Sequence, residues 1–172
     1  MNGIRAVPVL SGHGFNGLIE CFPAGIDGTG RIVGNCDDPN TGRQMGFIND
    51  GYGTKALPEA HENTEFPIDI VDISESGLIL GVSADLTGVH TWMVDGNHLT
   101  LVGELDGLFP ARIVNSGAIL AQDFAVGIVI DAAGVIQHVA GPGTFALDMN
   151  ESGTVVGYIL GDVLTSAAEW VP

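Results

Sequence analysis

One short phrase recurs four times along the chain and limits what the chain can fold into. AGIDGTGRIVG runs from Ala24 to Gly34, VDISESGLILG from Val71 to Gly81, ARIVNSGAILA from Ala111 to Ala121, and LDMNESGTVVG from Leu147 to Gly157. Each reads as a strand, a polar turn ending in glycine, and a second strand. Short aliphatic runs bounded by Gly, Asn, Asp and Ser are the pattern of hairpins. The turn glycines Gly30, Gly77, Gly117 and Gly153 stand 47, 40 and 36 residues apart, and the count from Gly153 through the C-terminus and on to Gly30 is 49. A near-constant period of this size, cyclic across the termini, marks a repeat architecture. It also removes a tempting alternative, that Gly28-Thr29-Gly30 is a phosphate loop, because the same glycine serves a turn in every repeat.

Each repeat carries two further markers. Four residues before the turn glycine stands an apolar side chain, Ile26, Ile73, Ile113 or Met149, expected to pack between units. Four residues after it stands Gly34, Gly81, Ala121 or Gly157, small enough to let neighbouring units approach closely. A third strand follows at 44–48, 90–94, 127–130 and 167–171, with Phe47, Trp92, Ile128 and Trp170 expected to fill the interfaces further out. A tight turn and a fourth strand follow at 54–57, 98–102 and 135–139. The last repeat lacks a fourth strand, and residues 4–10, IRAVPVL, read as a strand without a parent repeat. The expectation is an all-β single domain: a four-bladed β-propeller with four antiparallel strands per blade. Its blades span about 18–57, 67–102, 109–139 and 144–171, the last closed by the N-terminal strand 4–10.

The phrase, followed by an aromatic-tipped third strand and a turn, resembles the HAF-type repeats, a family of extracellular repeats with propeller-like character. MNESGTVVGYI with the later AAEWV is the closest match, and DISESGLILGVS with HTWMVDG comes next. IDGTGRIVG in the first repeat keeps the frame. The third repeat departs, with Ala121 in place of the second glycine and no aromatic at the strand tip. The resemblance covers nearly the whole chain. It implies the fold and suggests a surface module for glycan or matrix, but it brings no catalytic motif.

Twenty-one acids face five bases, Arg5, Arg31, Arg43, Lys55 and Arg112, for a net charge of −16. Such a field repels nucleic acid and anionic lipid and draws cationic partners inward. In a four-stranded meander, the second-to-third loops and the crossovers emerge on one face. That face carries Asp37, Asp38, Asp85, Asp123 and Asp162, then Glu20, Glu59, Glu62, Glu65, Asp69, Glu104 and Asp106, twelve of the 21 acids. The longest crossover, 59–67, also holds His61 beside Glu62. Long charged loops on a rigid scaffold are where binding resides. The partner-binding set is therefore Asp37, Asp38, Glu59, His61, Glu62, Glu65, Asp85, Glu104, Asp106 and Asp123. Acids on the opposite face, Asp27, Asp50, Glu75, Asp95, Asp131 and Glu151, sit at turns and are read as turn chemistry.

No P-loop, HExxH, paired CxxC or GxSxG is present, so no enzyme, metal or cofactor is expected. Cys21 and Cys36 are too few for a disulfide framework and are expected as buried reduced thiols. The start, MNGIRAVPVLSG, has no apolar core of signal-peptide length, which gives a cytoplasmic expectation. Five residues before each turn glycine stand Gly25, Asp72, Arg112 and Asp148. Asp72, Arg112 and Asp148 are expected at the mouth of the central channel, as a salt-bridge girdle, an ion or ligand site, or a catalytic site. The leading functional expectation is a non-enzymatic immunity protein that captures and blocks a basic bacterial toxin such as a nuclease, as a monomer or a heterodimer with it. Its rivals are the glycan or matrix module and an enzyme at the channel mouth.

Overall fold

The computed structural model describes residues 21–37, 42–58, 68–105, 107–122, 126–139, 141, 143–160 and 165–171. These form four antiparallel sheets. The first holds β1 (Cys21–Ile26), β2 (Ile32–Asp37), β3 (Gln44–Asn49) and β4 (Thr54–Ala56). The second holds β5 (Asp69–Ile73), β6 (Ile79–Asp85), β7 (Gly88–Asp95) and β8 (His98–Leu101). The third holds β9 (Phe109–Ile113), β10 (Ile119–Gln122), β11 (Gly127–Ile130) and β12 (Ile136–His138). The fourth holds β13 (Thr144–Met149), β14 (Val155–Leu160) and β15 (Thr165–Trp170). Within each sheet, strands follow chain order. The strand 4–10 expected beside β15 lies outside the described residues. Among the described residues no helix is long and apolar enough to cross a membrane.

One turn builds all four first hairpins. The N–H of Gly30, Gly77, Gly117 or Gly153 donates to the carbonyl three residues earlier, and the N–H of that earlier residue donates to the carbonyl after the glycine. The glycines have φ of 86°, 93°, 84° and 82°, the left-handed region that a Cβ disfavours. The side chain that opens the turn secures it. Asp27 Oδ1 accepts from Thr29 N and Arg31 N, Ser74 Oγ from Leu78 N, and Asn150 Oδ1 from Ser152 N and Thr154 N. Val114 at this position has no acceptor to offer.

Two of the small residues after the turns, Gly34 and Gly157, serve a different purpose from the one expected. In every sheet the first strand shifts register against the second, at Pro23/Gly25, Ile70/Asp72, Leu120/Ala121 and Ala146/Asp148. A Cβ at Gly34 or Gly157 would run into the backbone carbonyl of Phe22 or Phe145 in the first strand of its own sheet. The glycines make room for a bulge within the sheet rather than for a neighbouring sheet.

Successive sheets stack by one rule. β5 packs against β1–β3, β9 against β5–β7, and β13 against β9–β11. At each junction the apolar marker of the later repeat meets the residue three past the turn glycine of the earlier one. Ile73 shares a cluster with Val33, Ile113 with Leu80, and Met149 with Leu120. Each is 2% exposed or less, and burying such a side chain stabilises by about 1.5–3 kcal/mol. The expectation that the whole marker column packs between units holds for three members. Ile26 is 65% exposed, as is Val156, at 45%, the fourth repeat's counterpart of Val33, Leu80 and Leu120.

Phe47 and Ile128 are buried, and Trp92 and Trp170 pack partly buried against the clusters. Trp92 also donates its indole N–H to Ser83 Oγ at 2.8 Å. Trp170, however, pairs with Val155, level with Val94 and Ile130, whereas Trp92 pairs with Gly81. The last third strand therefore runs two residues out of the expected alignment. The reading of the cysteines as reduced thiols is overturned. Cys21 and Cys36 face each other across β1 and β2 and form a disulfide, with Cα atoms 4.1 Å apart. Cross-strand pairing supplies the proximity that spacing along the chain did not reveal.

Candidate functional site

Of the expected partner-binding residues, Asp38, Glu59, His61, Glu62, Glu65, Asp106 and Asp123 lie outside the described residues. Glu104 is described in its backbone alone, within a 3-10 turn at Gly103–Leu105. Asp37 ends β2 and is exposed. Asp85 ends β6, and its own turn engages it. Oδ1 accepts from Thr87 Oγ1 at 2.5 Å, from Thr87 N at 2.6 Å and from Gly88 N at 3.2 Å. His90 Nε2 lies 3.2 Å from the same oxygen. The hydrogen bonds from the Thr87 hydroxyl and N–H, followed by the one from His90, hold the carboxyl well below the usual carboxylate range. Thr87, His90 and Asp85 have the residue types of a nucleophile, base and acid. Yet hydroxyl and carboxylate both approach Nε2, whereas a catalytic relay places them on opposite ring nitrogens. This trio clamps a turn.

The turn reading of the opposite face holds for Asp27, Asp50 and Asp131, each accepting from backbone N–H groups of its own turn. Burial raises Asp27, but hydrogen bonds from Thr29 and Arg31 outweigh it and leave the carboxyl below its ordinary value. Glu75 and Glu151 do something the sequence reading missed. Glu75 accepts from Gly28 N, in the turn of the preceding repeat, and Glu151 Oε2 accepts from Asn115 N at 2.8 Å. Asn115 Oδ1 in turn accepts from Ser76 N at 2.5 Å. All three stand two residues before a turn glycine, so the signal was present in the repeat alignment: an acceptor in three repeats and Gly28 in the first.

The structure brings Asp72, Arg112 and Asp148 together as a ladder across the second to fourth sheets. Arg112 Nη1 is 3.1 Å from Asp72 Oδ1, and Nε is 3.3 Å from Asp148 Oδ1. Asp72 Oδ2 also accepts from Ile113 N at 3.0 Å. Burial pushes the Asp72 carboxyl up, against the pull of the Ile113 N–H and the Arg112 guanidinium. Both Asp72 oxygens are thus committed to the next sheet, the arrangement of a structural lock. The fourth column member, Gly25, adds no charge. Its missing Cβ would sit 3.2 Å from Asp72 Oδ1.

Three of the five bases are also committed. Arg31 pairs with Asp27 at 2.5 Å, Lys55 with Asp50 at 3.0 Å, and Arg112 with Asp72. A cleft of about 530 Å³ opens between the third and fourth sheets, floored by Val114, Met149 and Trp170 and rimmed by Asp131, Glu151 and Glu169. A second, of about 370 Å³, lies between the second and third sheets. Among the described residues no three His, Cys, Asp or Glu side chains converge as metal ligands would. Comparison of the chain with protein-family models and with curated proteins returns no match.

Proposed function

We propose that the chain is a four-bladed β-propeller that serves as a non-enzymatic binding module, capturing and blocking a basic protein with its acidic surface. Its most economical form is an immunity protein that neutralises a cationic bacterial toxin, a nuclease above all, acting as a monomer that becomes a heterodimer. One observation carries this reading. The net charge is −16, and Arg31, Lys55 and Arg112 are each already paired with a carboxylate. Little positive charge remains to offset the other acids, so the surface field is one-sided. Such a field raises association rates by about 10–10³-fold and places carboxylates where a nuclease holds phosphates. Glu62 and Glu65, in the acidic stretch 59–67, are the proposed contacts. The test is the activity of a cationic toxin nuclease domain titrated with the protein. Near-stoichiometric inhibition is expected, weakened in a Glu62→Gln/Glu65→Gln double variant. Undiminished cleavage at low salt would sink the reading for that nuclease.

A second reading is favoured by the Cys21–Cys36 disulfide. Such bonds persist in oxidising compartments, which suits an extracellular or surface module of the kind the HAF-type resemblance implies. The two readings differ in thiol state. Protein taken from native cells with both cysteines free supports the cytoplasmic immunity form, and protein taken fully oxidised supports the surface module.

A further inference from the structure

The three junctions between successive sheets share a design. Each has the aliphatic contact, Ile73 on Val33, Ile113 on Leu80 and Met149 on Leu120. Each also has a turn clasp, in which Glu75, Asn115 or Glu151 accepts from a backbone N–H of the preceding turn. Each has a third tie. The second and third junctions share the ladder from Asp72 through Arg112 to Asp148. The first junction has Asn35, whose side chain donates to Ile70 O at 3.1 Å and accepts from Ile70 N at 2.7 Å.

A junction of the fourth sheet with the first would have the aliphatic halves and nothing else of this set. Ile26 stands in the column of Ile73, Ile113 and Met149, and Val156 in that of Val33, Leu80 and Leu120. Both are exposed, at 65% and 45%. At the clasp position the first repeat has Gly28, with no side chain to accept from the fourth turn. At the ladder position it has Gly25, so the ladder ends at Asp148, whose side chain is 61% exposed. The counterpart of Asn35 is Tyr158, whose ring stacks on Phe145 of its own sheet at 4.9 Å.

We infer that Ile26 on Val156 closes the ring and that this junction, without clasp, ladder or backbone clamp, is the seam at which the ring opens. The inference rests on the closed-ring reading above. Opening there leaves three fully tied junctions intact and frees two half-junctions that fit each other within the chain.

The test uses the full chain. An Ile26→Cys/Val156→Cys variant is oxidised, and its cross-links are mapped by peptide mass spectrometry, which separates the new bond from Cys21–Cys36. Single variants Ile26→Cys, Ile73→Cys, Ile113→Cys and Met149→Cys are then labelled with a thiol reagent. Any one folded reference among the last three suffices. The expected result is a 26–156 link within single chains, with position 26 labelled at least about tenfold faster than the references, as its exposure at an untied seam requires. Intrachain linking with position 26 as slow as the references overturns the weak seam and leaves the ring standing. Linking between chains alone, or no linking, overturns the ring and the seam with it.

Discussion

A single backbone angle at the turn glycines decides each first hairpin. Gly30 has φ of 86° and no atom within 4 Å of where a Cβ would stand. Gly30→Ala therefore isolates the conformational cost from any clash. The expected loss is about 1–2 kcal/mol, read as a fall in melting temperature of roughly 2–4 °C per kcal/mol. Gly77→Ala should cost more, since its Cβ would also meet the Arg31 guanidinium. These glycines were legible in the sequence because a repeated turn leaves a repeated residue. Glu75, Asn115 and Glu151 were not read for what they do, although they recur just as regularly. A turn acid has a local explanation, and only coordinates show it reaching into the previous turn. Asp85, expected on a partner-binding face, is also held by Thr87, Gly88 and His90 of its own hairpin.

Between elements, two ties can be tested. Asp72→Ala strands the Ile113 N–H in a buried site and removes one partner of Arg112, and should cost about 1–3 kcal/mol in urea unfolding. Asp72→Asn keeps an acceptor and should cost less. Its pH dependence has a definite sign. Burial raises the Asp72 carboxyl above its ordinary value of 3.8, so the folded chain binds that proton more tightly than the unfolded chain. The contribution is fully present below 3.8 and is lost as pH rises through the folded value. The stability of Asp72→Asn relative to the native chain should therefore improve from about pH 4 to about pH 7. The disulfide closes a separation of 15 residues. Replacing Cys21 and Cys36 with serine should lower stability by about 3 kcal/mol. The sequence placed both cysteines in or beside strands of one repeat, but pairing depends on register. The bulge at Pro23/Gly25 sets that register, and Gly34, which admits it, was expected to serve a neighbouring unit instead. The stacking column was legible for Ile73, Ile113 and Met149. At Ile26 the column leads instead to the exposed position of the inferred seam.

At the scale of the whole molecule, four sheets of common design stack in chain order, and the chain carries a large excess of negative charge. The proposed propeller depends on closure of the seam, and the proposed binding role rests on the field. Self-repulsion at a net charge of −16 also predicts that added salt raises thermal stability, measurable as a rising melting temperature. The most direct test of field-driven capture is the association rate constant with a cationic toxin nuclease domain, followed by stopped flow as salt increases. The account predicts fast binding at low salt and a fall of at least about tenfold by physiological ionic strength. A rate that stays flat across that range, or the absence of any complex at low salt, would contradict it.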